Sequence, residues 1–125
     1  MQRCAAIRLK IPDNEAYTTL TTLQRLGINI AKLERTDIIR IDANTDPASI
    51  ERNESIFNPN KHAFTLLESC TPREGETWIE EIDTGKTTGW RLFDASGKPA
   101  TPETVRAAAE QLLCNPAIER SIQAQ

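Results

Sequence analysis

The stretch Thr101-Pro102-Glu103-Thr104-Val105-Arg106-Ala107-Ala108-Ala109-Glu110-Gln111-Leu112-Leu113-Cys114-Asn115-Pro116-Ala117-Ile118-Glu119 decides the reading of the fold. Thr101 can cap a first turn, Pro102 stands where a missing N–H costs nothing, and Glu103 puts negative charge at the positive end of the helix dipole. Val105, Ala108, Ala109, Leu112 and Leu113 recur at three- and four-residue steps and make one apolar stripe. Asn115-Pro116 breaks that pattern, and Ile118 and Ile122 resume an extended one. A capped helix running through an Asn-Pro stop into a short strand predicts an α+β sheet with helices packed on one face.

Working back, Ile7, Leu9 and Ile11 alternate with Arg8 and Lys10, the period of a half-buried strand over residues 4–11 that Pro12-Asp13-Asn14 ends. Asp13 or Asn14 is the expected N-cap of the next helix, with Glu15 in its first turn, Ala16, Leu20, Leu23 and Leu26 inward, and Gly27 as its left-handed stop. Residues 28–33 and 37–42 read as two strands joined by a turn near Arg35-Thr36. With the closing helix and strand, the order becomes β-α-β-β-α-β, an α+β, ferredoxin-like arrangement. One domain over residues 1–125 is expected, with residues 50–96 as an inserted antiparallel β meander between the third strand and the second helix, either extending the sheet or forming a small flap. Within it Ser55-Ile56-Phe57, Ala63-Phe64-Thr65-Leu66-Leu67, Trp78-Ile79-Glu80-Glu81-Ile82 and Trp90-Arg91-Leu92-Phe93 are strand-like. Both tryptophans fall in this segment, which predicts that it buries a patch against the main body or a partner.

A chain of 125 residues suffices for one core without staples. A net charge of −3 gives no field to hold a phosphate backbone, so nucleic acid is not expected as a partner. No apolar run approaches the roughly 20 residues of a membrane span, and the first residues lack a basic-then-apolar leader, so no membrane partner is expected either. Cys4, Cys70 and Cys114 are odd in number and widely spaced, a usage that points to free thiols and a cytoplasmic address.

Motifs for chemistry are sparse. His62, the single histidine, lies beside the turn residues Asn58-Pro59-Asn60 and reads as a solvated side chain. Thr84-Gly85-Lys86-Thr87-Thr88-Gly89 looks like the end of a phosphate loop, but Glu80 occupies the place of its first glycine, so a hairpin turn is expected. Glu80 and Glu81 should face opposite sides of a strand, and Asp13 and Glu15 should serve a helix start. Cys114 precedes a helix end, where the dipole raises a thiol pKa. Arg3, Arg8, Lys10, Arg25, Lys32, Arg35 and Arg40 alternate with acids as a solvated face does. No residues fall at metal-ligand spacing, and the reading assigns no catalytic, cofactor-binding or metal residue.

The helix end Leu112-Leu113-Cys114-Asn115-Pro116-Ala117-Ile118-Glu119 resembles the carboxy-terminal signature of the PurS family, the small subunit of phosphoribosylformylglycinamidine synthase in purine biosynthesis. Leu23-Gln24-Arg25-Leu26-Gly27, followed by Leu33-Glu34-Arg35, resembles that family's first helix end and second strand. Pro12-Asp13-Asn14-Glu15 and Thr36-Asp37 replace the family's Asp-Pro-x-Gly and Gly-Lys elements. The resemblance implies a ferredoxin-like, cytoplasmic homo-oligomer without a cofactor, a non-catalytic subunit of an ATP-dependent amidotransferase (ligase) complex that bridges its synthetase and glutaminase subunits. The alternative expectation is an ACT-type regulatory module that senses an amino acid or nucleotide at a dimer interface, with the Gly27-Ile28-Asn29 corner facing the ligand.

Overall fold

Alternation of Ile7 and Leu9 with Arg8 builds the first strand, β1 (Gln2–Leu9), in a computed structural model that describes residues 2–42, 44–54 and 57–124. The strand-like reading of Ser55 and Ile56 lies outside those residues. Helix α1 (Asn14–Arg25) starts on Asp13, whose side chain accepts from the Ala16 N–H at 3.1 Å. It ends before Gly27, which takes the left-handed φ of 87° that the spacing predicts.

Beyond the helix the structure departs from the expected pair of strands. Lys32–Asp42 is one unbroken strand, β2, with no turn at Arg35-Thr36. Two polar residues in its middle are held by other elements: Thr36 is buried and donates to the Gly89 carbonyl at 3.4 Å, and Arg35 is gripped by the start of α1. A short helix α2 (Pro47–Glu51), capped by Asp46, precedes β3 (His62–Leu66), β4 (Glu76–Glu81) and β5 (Thr87–Phe93).

Helix α3 (Pro102–Ala108) begins as expected, with the Thr101 hydroxyl accepting from the Thr104 N–H. Over Ala109–Leu113 it widens into a π turn, closed by the Cys114 N–H on the Ala109 carbonyl at 3.0 Å. Val105, Ala108, Ala109 and Leu113 are buried, whereas Leu112 is 39% exposed, so the expected stripe loses one member at the π turn. Asn115 makes the stop. Its side chain accepts from the Ala117 N–H at 3.1 Å and its carbonyl from the Glu119 N–H at 2.8 Å, which turns the chain into β6 (Glu119–Gln123).

The fold is α+β: six strands form one antiparallel sheet in the order β3-β1-β2-β5-β4-β6. Residues 50–96 extend this sheet, the first of the two expected arrangements, and among the described residues form no flap beside it. They supply β3 at one edge and the β4–β5 hairpin inside the sheet, where every residue from Glu76 to Glu80 is buried. Pairing register sorts the side chains into two faces. Leu33, Ile79, Trp90 and Leu92 close on Leu23 of α1 and on Val105 and Ala108 of α3. On the opposite, outer face Cys4, Ala6, Ile38 and Trp78 pack with Leu67, Cys70 and Ile122.

Cys4 and Cys70 are disulfide-bonded, with Cα atoms 5.2 Å apart, which corrects the expectation of free thiols. A separation of 66 residues leaves no spacing signal in the sequence. Cys114 remains a thiol. Thiol titration of the denatured, unreduced chain is expected to find one thiol, and reduction to lower the unfolding free energy by roughly 4 kcal/mol, the loop-closure value for such a span. Three reactive thiols in that titration would contradict the bond.

Candidate functional site

The end of β1 brings the first polar cluster together. Ile7 stands opposite Asp37 and Leu9 opposite His62 in the strand register, and with Asp13 and Arg35 these residues line a cleft of about 210 Å³. Asp13 and Glu15, expected to serve the helix start, also hold Arg35: its Nε donates to Asp13 Oδ2 at 3.0 Å and its Nη1 to Glu15 Oε2 at 2.5 Å. That fork docks α1 on β2.

His62 is half-buried beside Phe57 and is not the fully solvated group the turn residues suggest. Its Nδ1 accepts from the Asn58 N–H at 2.9 Å. A backbone N–H can only donate, so Nδ1 presents its lone pair and the ring proton sits on Nε2. A general base needs that lone pair, so His62 as held is a donor. Asp37 is exposed and makes no hydrogen bond or ion pair among the described residues. The cleft can recognise a polar group but holds no paired acid and base.

The outer face carries a lattice of charge. Glu80 and Glu81 face opposite sides, as alternation predicts, and Glu80 is buried. Arg40 Nη2 donates to Glu80 Oε2 at 2.9 Å, and Arg120 Nε donates to Oε1 at 2.7 Å. The Arg120 hydrogen bond prevails over desolvation and, with the charges of Arg120 and Arg40, holds the Glu80 carboxyl below the ordinary glutamate range. One row along, the Glu76 side chain is fully buried and takes Nε and Nη2 of Arg73 at 3.2 and 2.9 Å. Gly89 makes room for it, because a Cβ there would lie 2.9 Å from Glu76 Oε2 and 2.7 Å from Thr36 Oγ1.

The other candidates resolve into structure. Thr84–Lys86 turn the β4–β5 hairpin, with Gly85 at φ 74° and the Lys86 N–H on the Thr84 hydroxyl at 3.1 Å. Burial, and then the Glu119 charge, raise the Cys114 thiol pKa, opposite to what a nucleophile needs. The amino-terminal basic residues split between the two sides: Arg35 binds α1, Arg3 reaches the Thr45 carbonyl, and Arg40 lies on the outer face. The Gly27-Ile28-Asn29 corner buries Ile28 and lines neither the cleft nor the cavity around Arg73. Arg91 and Arg120 escaped the sequence reading because the sheet's pairing sets what they meet, and Arg73 because the turn before β4 folds it onto Glu76. No cluster of metal-ligating side chains occurs among the described residues.

At the sheet's ends, among the described residues, β3 pairs only with β1 and β6 only with β4, so each leaves one edge open. The entry to β6 is apolar: Ile82 and Ile118 are 58% and 56% exposed, and the Ile82 N–H donates to the Ile118 carbonyl at 2.9 Å. No helix among the described residues is long and apolar enough to cross a membrane.

A carboxylate held below its unfolded pKa stabilises the fold fully above the ordinary glutamate value and loses that contribution as pH falls through the folded one. The acid limb of stability below about pH 4.5 should therefore flatten in Glu80→Gln, read by denaturant unfolding across pH. An unchanged limb would remove Glu80 from its cause. Comparison of this chain with protein-family models, with curated proteins and with solved structures gives no match.

Proposed function

We propose that the chain is a PurS-like accessory subunit, non-catalytic by itself, that assembles as a homo-oligomer and joins the synthetase and glutaminase subunits of phosphoribosylformylglycinamidine synthase. One observation carries the reading. The turn that bears the resemblance, Leu112 to Glu119, delivers the chain into an open edge strand whose entry exposes Ile118 beside Ile82. An unpaired edge headed by two bare isoleucines suits strand pairing with another chain. A non-catalytic role agrees with side chains already committed: Glu80 to two arginines, His62 Nδ1 to Asn58.

On this reading the unit is a ferredoxin-like β-α-β-β-α-β domain, and the unbroken β2, one strand where that order needs two, weighs against it. The strands β3 to β5 are then the insertion, which separates β6 from β1. A cytoplasmic address belongs to the same reading, and the Cys4–Cys70 bond weighs against it, since disulfides persist chiefly in oxidising compartments. Alkylation of thiols at lysis of the native host distinguishes the two. The alternative, an ACT-type ligand-sensing module, has one observation in its favour, an arginine-lined cavity on the outer face.

A tagged pull-down from the native host, with light scattering on the bait, tests the proposal. Co-elution of a synthetase and a glutaminase with an oligomeric bait is expected. The double variant Ile82→Lys with Ile118→Lys should lower the oligomer's mass while leaving Tm within a few degrees, because both side chains are exposed. A monomeric wild-type bait that elutes alone would overturn the reading.

A further inference from the structure

Three arginines surround a cavity of about 170 Å³ on the outer face. Arg8 comes from β1, Arg91 from β5, and Arg73 from the segment between β3 and β4. The short side chains of Ala6, Thr36 and Thr65 line the space between them. Glu34 is the carboxylate in the lining, 3.9 Å from Arg8 Nε, and Arg73 is matched by Glu76. Arg91 makes no ion pair among the described residues: its Nε meets the Glu74 carbonyl at 3.4 Å, and its guanidinium lies 5.2 Å from the Phe93 ring. The group therefore keeps one positive charge in excess.

These contacts leave donors. Nη1 of Arg73 and both Nη atoms of Arg91 have no protein acceptor among the described residues. The Arg73 guanidinium is fixed by Glu76, and its backbone by the Arg73 N–H on Glu76 Oε1 at 2.8 Å. Three residues earlier, Cys70 is bonded to Cys4 of β1, so the cavity wall is tied to the strand beneath it. The fixed Arg73 guanidinium, with the open donors of Arg91 across a small, partly walled space, matches the oxygens of a tetrahedral dianion.

We propose that this cavity binds a phosphoryl dianion, present as free phosphate or as the monoester of a small metabolite. The site deepens the ligand-sensing alternative and does not depend on the accessory reading, because binding is read on the full chain without partners.

Amide NMR titration of the oxidised full chain with inorganic phosphate, and separately with glycerol 3-phosphate, is the test. Saturable shifts centred on Thr36, Thr65 and Arg73 are expected. A stronger response to the ester assigns a monoester, and a stronger response to the ion assigns free phosphate. Arg91→Met should weaken binding about tenfold or more while Arg25→Met, on α1, leaves it unchanged. Arg8→Met serves in the same role if Arg91→Met does not fold. Absence of saturable shifts with both anions up to millimolar concentration, or equal loss in Arg25→Met, overturns the proposal.

Discussion

The sheet depends on the unbroken course of β2. It pairs with β1 on one side and β5 on the other, and those two ladders join the β3-β1 half of the sheet to the β5-β4-β6 half. A chain reversal at Arg35-Thr36 would end the strand that both ladders share and divide the sheet. What keeps the strand straight is non-local: the Arg35 guanidinium held by Asp13 and Glu15, and the Thr36 hydroxyl on the Gly89 carbonyl. Both the docking of α1 and the continuity of the core therefore depend on polar contacts in the middle of one strand.

The two faces solve burial differently. Towards the helices the sheet offers Ile79, Trp90 and Leu92, and burial of such side chains contributes roughly 1.5–3 kcal/mol each. On the outer face, apolar packing around Trp78 is flanked by Glu76 and Glu80, both buried and both bound to arginine. Such pairs add little net stability, but removal of either partner strands a charge, so they fix the arrangement of strands more than they strengthen it. Gly89 belongs to the same economy of space, since a side chain there would displace the Glu76 carboxylate.

Local chemistry was legible where it is self-contained. The Thr101 cap, the Asn115-Pro116 stop, the Gly27 stop and the Gly85 hairpin stand where spacing places them, because each is completed within a few residues. Arg35-Thr36 looked like a turn because the polar pair interrupts the apolar pattern; their partners lie at the start of α1 and on β5. The same limit hid the disulfide and the arginine cavity. Cys4 meets Cys70, and Arg8 comes near Arg91, only through the strand order, which no short-range pattern encodes. The π turn was hidden too, because Ala109–Leu113 has the composition of an ordinary helix end.

Continuity of β2 also bears on how the chain acquires its shape. Synthesis completes β1 and β2 well before Thr87–Phe93 exists, so one long side of β2 must stand without its neighbour while the ribosome works. Bare strand edges recruit other nascent chains, and charge is the ordinary deterrent. Lys32, Glu34, Arg35, Asp37 and Arg40 stud that strand, a density of charge that opposes premature pairing.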